Sequence, residues 1–198
     1  MQQLLRPSDY QRKPWKNGGG ELLYICAEPS GAGLDAFEWR ASIALVRASG
    51  PFSHFPGVDR TIVLLDGAGM RLASADWHAA METLYEPVRF PGEMAVSCTL
   101  TNGPTRDFNL MVRRGVVRGE LVVVRGTGVT RLPAAAVLCY VAAGAVECAA
   151  GADMAQRVET DCTWRILQDA DGAPQEMQVR PLTADAVALV VTIARSVA

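Results

Sequence analysis

Short apolar runs and turn residues alternate over almost the whole length of this chain of 198 residues. The runs are rich in β-branched or alternating apolar side chains and are bounded by Gly, Pro and Asp, which is typical of β-strands. Sustained helical periodicity is rare, and Ser8 and Asp9 favour no more than a short helical turn at 7–10. The pattern therefore predicts an all-β protein built from many short strands, a sandwich or a barrel. The predicted strands are 21–27, 39–47, 61–66, 69–74, 82–90, 95–101, 107–113, 116–125, 136–142, 145–149, 163–167, 176–180 and 186–195.

A weak internal repeat indicates that this architecture occurs twice. The segment IVLLDGAGMRL at 62–72 is echoed by LCYVAAGAVEC at 138–148, and NLMVRR at 109–114 by VVTIAR at 190–195. In the longer pair, an apolar strand enters a turn of small residues and leaves along another strand. We therefore predict two similar, tightly packed β-barrels, one over residues 1–115 and one over 116–198, because RRGVVR at the join is short and unlike a flexible linker.

Composition excludes several classes of protein. The 19 basic and 21 acidic residues give a net charge of −2, which argues against a general nucleic-acid binder. The N-terminus lacks the apolar core of a signal peptide, and the longest nearly apolar run, 134–146, is too short to span a bilayer. The five cysteines contain no CxxC pair and resemble neither a disulfide framework nor a zinc site. We expect a cytoplasmic protein with reduced thiols that binds neither nucleic acid nor membranes.

Polar and aromatic residues unsuited to simple packing gather in the first half of the chain. They form four segments: WKNGGGE at 15–21, FEWRASIA at 37–44, GPFSHFPGVDR at 50–60 and TRDFNLMVRR at 105–114. The second half has few such residues and a more uniform apolar pattern. This asymmetry predicts that the first barrel carries the functional site and that the second supports it.

The segment WKNGGG has two interpretations. Three glycines allow positive φ and close backbone approach, so Lys16 and Asn17 could stand beside an anion-binding nest. The alternative is a tight turn leading into the first strand. Nucleotide binding is unsupported, because the chain has neither a GxxxxGK[ST] loop nor a GxGxxG loop after a strand.

Alternation along two predicted strands places polar residues together. Arg40 and Ser42 share one face of the strand 39–47, where they either face water or enter the mouth of the barrel. Inside the mouth, Arg40 could bind a carboxylate with two hydrogen bonds. Asp107 and Asn109 share a face of the strand 107–113, where Asp107 either orients an arginine and binds a ligand or forms a structural ion pair.

The segment GPFSHFPGVDR combines aromatic walls with polar groups, as a pocket for a small molecule requires. The same glycines and prolines also suit a rigid loop. Its candidate pocket residues are Phe52, Phe55, Ser53, Asp59 and Arg60.

The sequence does not support histidine or nucleophile chemistry. His54 and His78 are the two histidines of the chain, and without HxH or HExxH spacing they are predicted to be surface residues. The chain has no GxSxG motif and no Cys/His signature, so we assign no catalytic residue.

The motifs WKNGGG, FEWRASIA, GPFSHFPGVDRTIVLLDGAGMRL and GPTRDFNLMVRRG resemble, in order and spacing, the HutD/Ves family. The resemblance covers most of residues 5–115, and the rest matches mainly in length and pattern. It implies a bicupin, with two jelly-roll-like cupin barrels in one chain, and a link to histidine utilisation in bacteria. Members are thought to bind a pathway metabolite, urocanate or N-formylglutamate, and to restrain induction of the pathway. Catalysis is not established for the family.

The resemblance to cupins also bears on metal binding. Cupin enzymes usually carry HxH followed by Glu and a later His, whereas FSHFPGVDR has one His and the region 90–101 has none. We therefore expect no metal and no other cofactor. A pocket of Arg, Lys, Asn and Phe suits an organic carboxylate, so urocanate would offer its ring to Phe52 or Phe55 and its carboxylate to Arg40 or Arg60.

The leading hypothesis is a non-catalytic regulator whose first barrel binds a small anionic metabolite. The alternatives are a cupin-type enzyme acting on a small organic acid or sugar, and a structural or interaction module. The sequence does not determine the oligomeric state, but the exposed edges of an all-β barrel favour a homodimer. The predicted ligand-binding residues are Lys16, Asn17, Arg40, Ser42, Phe52, Ser53, Phe55, Asp59, Arg60, Asp107 and Asn109.

Overall fold

The computed structural model describes residues 2–15, 19–33, 35–133, 135–151, 154–166 and 176–196. Within these ranges the chain forms nineteen β-strands and one short 3-10 helix, Pro7–Asp9, so the all-β class is confirmed. No helix of the described residues is long and apolar enough to cross a membrane. The strands are β1 Gln2–Leu5, β2 Gln11–Pro14, β3 Gly20–Glu28, β4 Trp39–Val46, β5 Gly50–Pro51, β6 Val58–Asp66, β7 Met70–Ser74, β8 Trp77–Met81, β9 Pro87–Pro91, β10 Ser97–Leu100, β11 Thr105–Arg113, β12 Val117–Arg125, β13 Thr130–Leu132, β14 Ala136–Ala143, β15 Ala145–Ala150, β16 Gln156–Glu159, β17 Thr163–Ile166, β18 Met177–Pro181 and β19 Val187–Arg195.

The chain divides into two compact units. The first unit is Tyr10–Arg118, and the second unit is Met1–Asp9 together with Gly119–Ala198. The division after Arg118 lies three residues beyond the predicted join at 115/116. The first nine residues differ from the expectation, because β1 pairs with β17 and so belongs to a sheet of the second unit.

Each unit contains one large and one small antiparallel sheet. In the first unit the large sheet has the order β2-β3-β4-β11-β6-β9 and the small sheet β5-β10-β7-β8. In the second unit the large sheet has the order β1-β17-β14-β19-β12 and the small sheet β13-β18-β15-β16. Two four-stranded sheets facing each other are typical of jelly rolls.

The two units share one strand order. Adding eight to each strand number turns β4-β11-β6-β9 into β12-β19-β14-β17, and β5-β10-β7-β8 into β13-β18-β15-β16. The repeated sequence segments lie on corresponding strands, β6–β7 with β14–β15 and β11 with β19. Both β6–β7 and β14–β15 turn at a glycine in the left-handed region, Gly67 (φ 98°) and Gly144 (φ 64°). The weak sequence repeat therefore corresponds to a repeated topology.

The sheets are open, and this corrects the prediction of closed barrels. Among the described residues of the first unit, β2 and β9 are the edges of the large sheet, and β5 and β8 are the edges of the small one. Closure fails because β8 and β9, although consecutive, pair with different sheets. The core lies between the two sheets, where Ile62 and Leu64 of the large sheet pack with Met70, Leu72 and Cys98 of the small one.

Several predicted elements differ from the structure in their bounds or type. Residues 82–86 form a turn instead of a strand, and the strand that follows is β9. The segment SADWHAA, predicted as a loop, contributes to β8, where Trp77 packs on Phe90 with ring centroids 5.5 Å apart. Alternating burial that ends at the buried Met81 explains this strand. The strand predicted at 163–167 begins with β17, and Leu167 lies outside the described residues.

Candidate ligand-binding site

Two arginines lie in one row on the inner face of the large sheet of the first unit. Arg40 on β4 and Arg60 on β6 both pair with Met111 on β11, one on each side. Ala44, four residues after Arg40 on β4, points to the same side of the sheet as Arg40 and belongs to the core between the sheets. Arg40 and Arg60 are each only 6% exposed. The sequence left open whether Arg40 faces water or the interior, and in the structure it faces the interior.

The neighbouring rows on the same face are also polar. Asn109 on β11 pairs with Ser42 on β4, and Asp107 on β11 pairs with Ala44 on β4 and Leu64 on β6. Asp107, Asn109 and Ser42 are all buried. The inner face of the sheet therefore carries a buried polar patch where a core would ordinarily be apolar.

A cavity of about 570 Å³ lies over this patch. Its floor is formed by the buried arginines, Asp107 and Asn109, and its rim includes the exposed Lys13 and Ser53. Ser42 is buried beside the floor and is not part of the lining. The lining residues are Lys13, Pro14, Trp15, Leu22, Tyr24, Ala32, Gly33, Arg40, Ala44, Pro51, Phe52, Ser53, Phe55, Arg60, Asp107, Asn109 and Met111.

The Arg60 guanidinium is surrounded by three aromatic rings. Its Cζ lies 5.0 Å from the ring centroid of Phe90, 5.1 Å from that of Phe52 and 5.7 Å from that of Phe55. Phe90 comes from β9, where it pairs with Arg60 across the sheet. Cation–π contacts at these distances stabilise the guanidinium and fix its position. Phe52 and Phe55 therefore hold Arg60 in place. A flat ligand ring could stack on either phenylalanine only at a ring face that Arg60 does not contact.

The loop that carries these two phenylalanines is tied to the chain between β9 and β10. The N–H of Phe52 donates to the carbonyl of Val96, and the N–H of Phe55 to that of Gly92, both at 2.8 Å. The N–H of Gly92 donates in turn to the carbonyl of Val58 at 2.6 Å. A side chain at Gly92 would collide with the backbone carbonyls of Phe55 and Val58. The close approach thus requires glycine and fixes the aromatic wall.

Arg40 has an aromatic contact of its own. Its Cζ lies 5.5 Å from the Tyr24 ring centroid, and Lys13 Nζ lies 5.4 Å from the same centroid. Lys13 is exposed at the rim, whereas Arg40 is buried. Positive charge therefore extends from the rim of the cavity to its floor, an arrangement that attracts anions.

The electrostatics of the floor are dominated by loss of hydration. Burial lowers the pKa of Arg60 to about 10, although the charge of Asp107 opposes the shift and that of Arg40 adds to it. Burial likewise lowers the pKa of Arg40. Burial raises the pKa of Asp107 to about 7, against the attraction of Arg60. At neutral pH the two guanidiniums are charged and Asp107 is only partly ionised, so the floor is positive.

Five polar atoms of this patch have no hydrogen-bond partner among the described residues. A buried atom of this kind costs about 1–3 kcal/mol, and native proteins rarely leave it unpaired. Several such atoms beside one cavity indicate that a ligand completes the site. The atoms are Arg40 Nε, Ser42 Oγ, Arg60 Nε, Asp107 Oδ2 and Asn109 Oδ1.

Asp59 does not belong to the patch. It neighbours Arg60 on β6, and adjacent residues of a strand point to opposite faces. Its side chain is 60% exposed and accepts hydrogen bonds from Arg114 Nη2 at 2.7 Å and Nε at 3.1 Å. Lys16 and Asn17 lie outside the described residues.

Both histidines are exposed, as predicted. His54 Nε2 donates to the backbone carbonyl of Glu93, and His78 lies on β8. The residues do not fit a cupin-type metal centre, because the lining contains no histidine. Across the described ranges, no group of three or more His, Cys, Asp or Glu side chains could hold a metal ion.

Sequence reasoning missed Lys13 and Tyr24. Tyr24 pairs with Ser42 across β3 and β4, so alternation along the predicted strand 21–27 could have indicated it. Lys13 gave no signal, because β2 reads QRKP and all four residues are exposed.

The fold and the pocket define an all-β protein of cupin-like fold with a buried cationic cavity. Distant structures that share this fold include Ylba from Escherichia coli, at 10% identity and a TM-score of 0.70 over 100% of this chain and 93% of that one. Oxalate decarboxylase from Lactobacillus farciminis has 5% identity and a TM-score of 0.67 over 97% and 88%.

The chain belongs to the HutD family, whose model matches residues 7–181. The resemblance drawn from the motifs is therefore confirmed. HutD from Pseudomonas fluorescens SBW25 has a TM-score of 0.84 and 30% identity, covering 100% of both chains. A conserved protein of unknown function from Pseudomonas aeruginosa PAO1 has a TM-score of 0.86 and 31% identity over 98% of both.

Relatives also match at the level of sequence. An uncharacterised 21.2 kDa protein in the hutC 3′ region of Pseudomonas putida is 42% identical over 156 residues, which cover 79% of this chain and 82% of that one. Protein Ves from Citrobacter koseri is 38% identical over 117 residues, covering 59% and 60%.

Proposed function

We propose that the first unit binds a small organic carboxylate, urocanate or N-formylglutamate, and that the protein is a non-catalytic regulator of histidine utilisation. The observation that carries the proposal is the set of unpartnered polar atoms on a cationic cavity floor. A carboxylate supplies acceptors for Arg40 Nε and Arg60 Nε and neutralises the excess positive charge. The cavity of about 570 Å³ also lies within the usual size range of small-molecule pockets.

The architecture and biological context are part of the proposal. We interpret the chain as a bicupin, since both units have the same strand order and each pairs a large sheet with a small one. The link to histidine utilisation is supported by a relative from the hutC 3′ region and by the structure of HutD from Pseudomonas fluorescens. We further propose a cytoplasmic location and a small anionic metabolite as partner, with no role for nucleic acid or membranes. The open sheet edges support self-association as a homodimer.

Calorimetric titration of both metabolites into wild type and Arg40 variants tests the proposal. Arg40→Lys keeps the charge but loses the planar fork, so affinity should fall by about tenfold or more. Arg40→Met also removes the charge and should nearly abolish binding, because each charge-assisted hydrogen bond contributes about 1.5–3 kcal/mol. Arg71→Met is the matched control, since Arg71 is exposed and pairs with Glu82 outside the cavity. Unchanged affinity in Arg40→Met would contradict the proposal.

One observation favours a second candidate, a cupin-type enzyme acting on a small organic acid or sugar. A buried carboxyl group whose pKa is raised to about 7 can serve as a general acid or base at neutral pH, and Asp107 is such a group. Incubation with urocanate or N-formyl-L-glutamate, followed by NMR, discriminates the two functions. Conversion of either compound, lost in Asp107→Asn, would favour the enzyme. Near-stoichiometric metal in protein purified without an affinity tag would favour it as well.

A further inference from the structure

Asp107 is buried without a hydrogen-bond partner for one of its oxygens. The residue is 1% exposed, and its neighbours across β4 and β6 are the apolar Ala44 and Leu64. Within the part of the chain that the structure describes, Oδ2 accepts no hydrogen bond. Burying an ionised carboxylate in this way is costly, and a proton on Oδ2 removes the charge but creates a donor that needs an acceptor. A molecule in the cavity can supply the partner that the described residues do not give this carboxyl group.

The charged and titratable groups around Asp107 come from each element packed on it. Arg60 on β6 attracts the ionised form, and Arg40 on β4 adds a second positive charge to the floor. Cys98 faces Asp107 from β10 of the small sheet, and burial, reinforced by the charge of Asp107, raises the pKa of this thiol to about 11. The thiol is thus neutral at physiological pH. On β11 itself, the neighbouring Asn109 carries no charge. Of the described residues around Asp107, Arg60 is the one whose charge sustains ionisation.

We infer that a carboxylate ligand binds this site together with one proton: the ligand neutralises Arg60, and Asp107 takes a proton from solvent onto Oδ2 and donates it in a hydrogen bond to the ligand. This inference rests on the proposed function and adds to it the coupling of affinity to pH. Asp107 is then a ligand-binding residue whose proton makes the affinity depend on pH.

The coupling follows from two carboxyl groups sharing one buried site. Two carboxylates close together in a poorly hydrated cavity cannot both stay ionised at low cost, so one of them takes up a proton. A bound ligand also neutralises Arg60, which otherwise holds the pKa of Asp107 down to about 7. The complex therefore holds one more proton than the free protein above pH about 7. By linkage, the affinity falls toward tenfold per pH unit above that pH and is nearly constant below it.

Calorimetry with N-formyl-L-glutamate from pH 6 to pH 9 tests the coupling. This probe is preferred to urocanate, because its carboxyl groups are already ionised at pH about 6, whereas an imidazole titrates near pH about 6.5. The dissociation constant should rise up to about 50-fold between pH 7 and pH 9. Binding enthalpies measured at pH 8.5 in phosphate and in Tris should differ by the uptake of about one proton per ligand, and at pH 6 by almost none.

Two variants separate Asp107 from other titrating groups. Asp107→Asn imitates the protonated carboxyl group, so it should bind with a pH-independent affinity and take up no proton. Asp59→Asn, on the outer face of the same sheet, should retain the wild-type pH dependence. If Asp107→Asn does not fold, the comparison of buffers on wild type still shows whether the ligand binds together with a proton.

The possible failures are distinguishable. Binding of equal strength at pH 6 and pH 8.5 without proton uptake would contradict the coupling and leave the proposed function standing. Absence of binding at every pH, including pH 6 where Asp107 is protonated, would contradict the proposed function and this inference with it. Proton uptake that persists in Asp107→Asn would assign the proton to another group and overturn the role of Asp107.

Discussion

The two units have the same strand order, but the inner faces of their large sheets differ in polarity. In the first unit the inner face of the large sheet carries Arg40, Arg60, Asp107 and Asn109 beneath a cavity. In the second unit the corresponding strands β12, β14 and β19 contribute small apolar residues to the core, and β17 adds Trp164. The core residues on β12, β14 and β19 are Val124, Ala136, Cys139, Val141, Ala188 and Val190. The described core of the second unit is thus apolar, whereas the first unit combines an apolar core with a buried polar patch under a cavity.

This difference shows that the fold does not require the polar inner face found in the first unit. Apolar packing stabilises the same topology in the second unit, whereas each unpaired buried polar atom in the first costs about 1–3 kcal/mol. A protein that leaves five such atoms beside a cavity in the first unit, and packs the described core of the second with apolar side chains, has a use for those atoms. We take that use to be ligand binding.

The largest expected effect is the introduction of a charge into the apolar interior. Val190 on β19 is fully buried in the core of the second unit. Val190→Asp should unfold the protein or destabilise it by about 3–5 kcal/mol, because the new carboxylate has no partner. Thermal denaturation followed by circular dichroism measures this, with Val190→Ala as the control of smaller cost. A stable, well-folded Val190→Asp would contradict the account of an interior that tolerates no polar group.

The next effect concerns the buried carboxyl group already present in the first unit. Comparing wild type with Asp107→Asn, its neutral isostere, over a range of pH shows how this group changes the free energy of unfolding. The pKa of Asp107 is about 7 in the folded protein and about 3.8 when unfolded, so the folded state binds more protons between those values. The free energy of unfolding of wild type, relative to Asp107→Asn, should therefore fall as pH rises from about 4 to about 7, by up to about 1.4 kcal/mol per pH unit. Urea denaturation at several pH values measures this. A difference that stays constant with pH would mean that Asp107 keeps an ordinary pKa.

A smaller effect is expected when one polar atom is removed from the first unit. Ser42 is fully buried and its Oγ has no partner. Ser42→Ala should leave the ligand-free protein as stable as wild type or stabilise it by about 1 kcal/mol. The midpoint of urea denaturation without ligand is the measurement. A clear loss of stability would show that Ser42 has a structural role, and the contrast between the units would weaken.

Sequence reasoning succeeded where strand alternation decides the outcome. Arg40, Ser42, Asp107 and Asn109 lie on single faces of strands whose bounds were predicted closely, so their common direction followed from the period of two. The same alternation explains why Asp59 does not lie at the cavity. The strand was predicted to begin at 61, whereas β6 begins at Val58, so Asp59 and its neighbour on β6 point to opposite faces.

Other features of the site depend on tertiary structure and leave no local signal. Lys13 reaches the cavity from an exposed edge strand without an apolar pattern. The aromatic surroundings of Arg60 join residues from β6, β9 and the loop between β5 and β6. The raised pKa of Asp107 depends on burial beside Ala44 and Leu64, which only strand register reveals.

A crystal structure of the protein with N-formyl-L-glutamate at saturating concentration tests the central claim most directly. The account predicts one ligand in the first unit, with carboxylate oxygens at about 2.7–3.2 Å from the guanidinium nitrogens of Arg40 and Arg60. It also predicts no ligand in the core of the second unit, which apolar side chains fill. A ligand bound elsewhere, with both guanidiniums untouched, would contradict it.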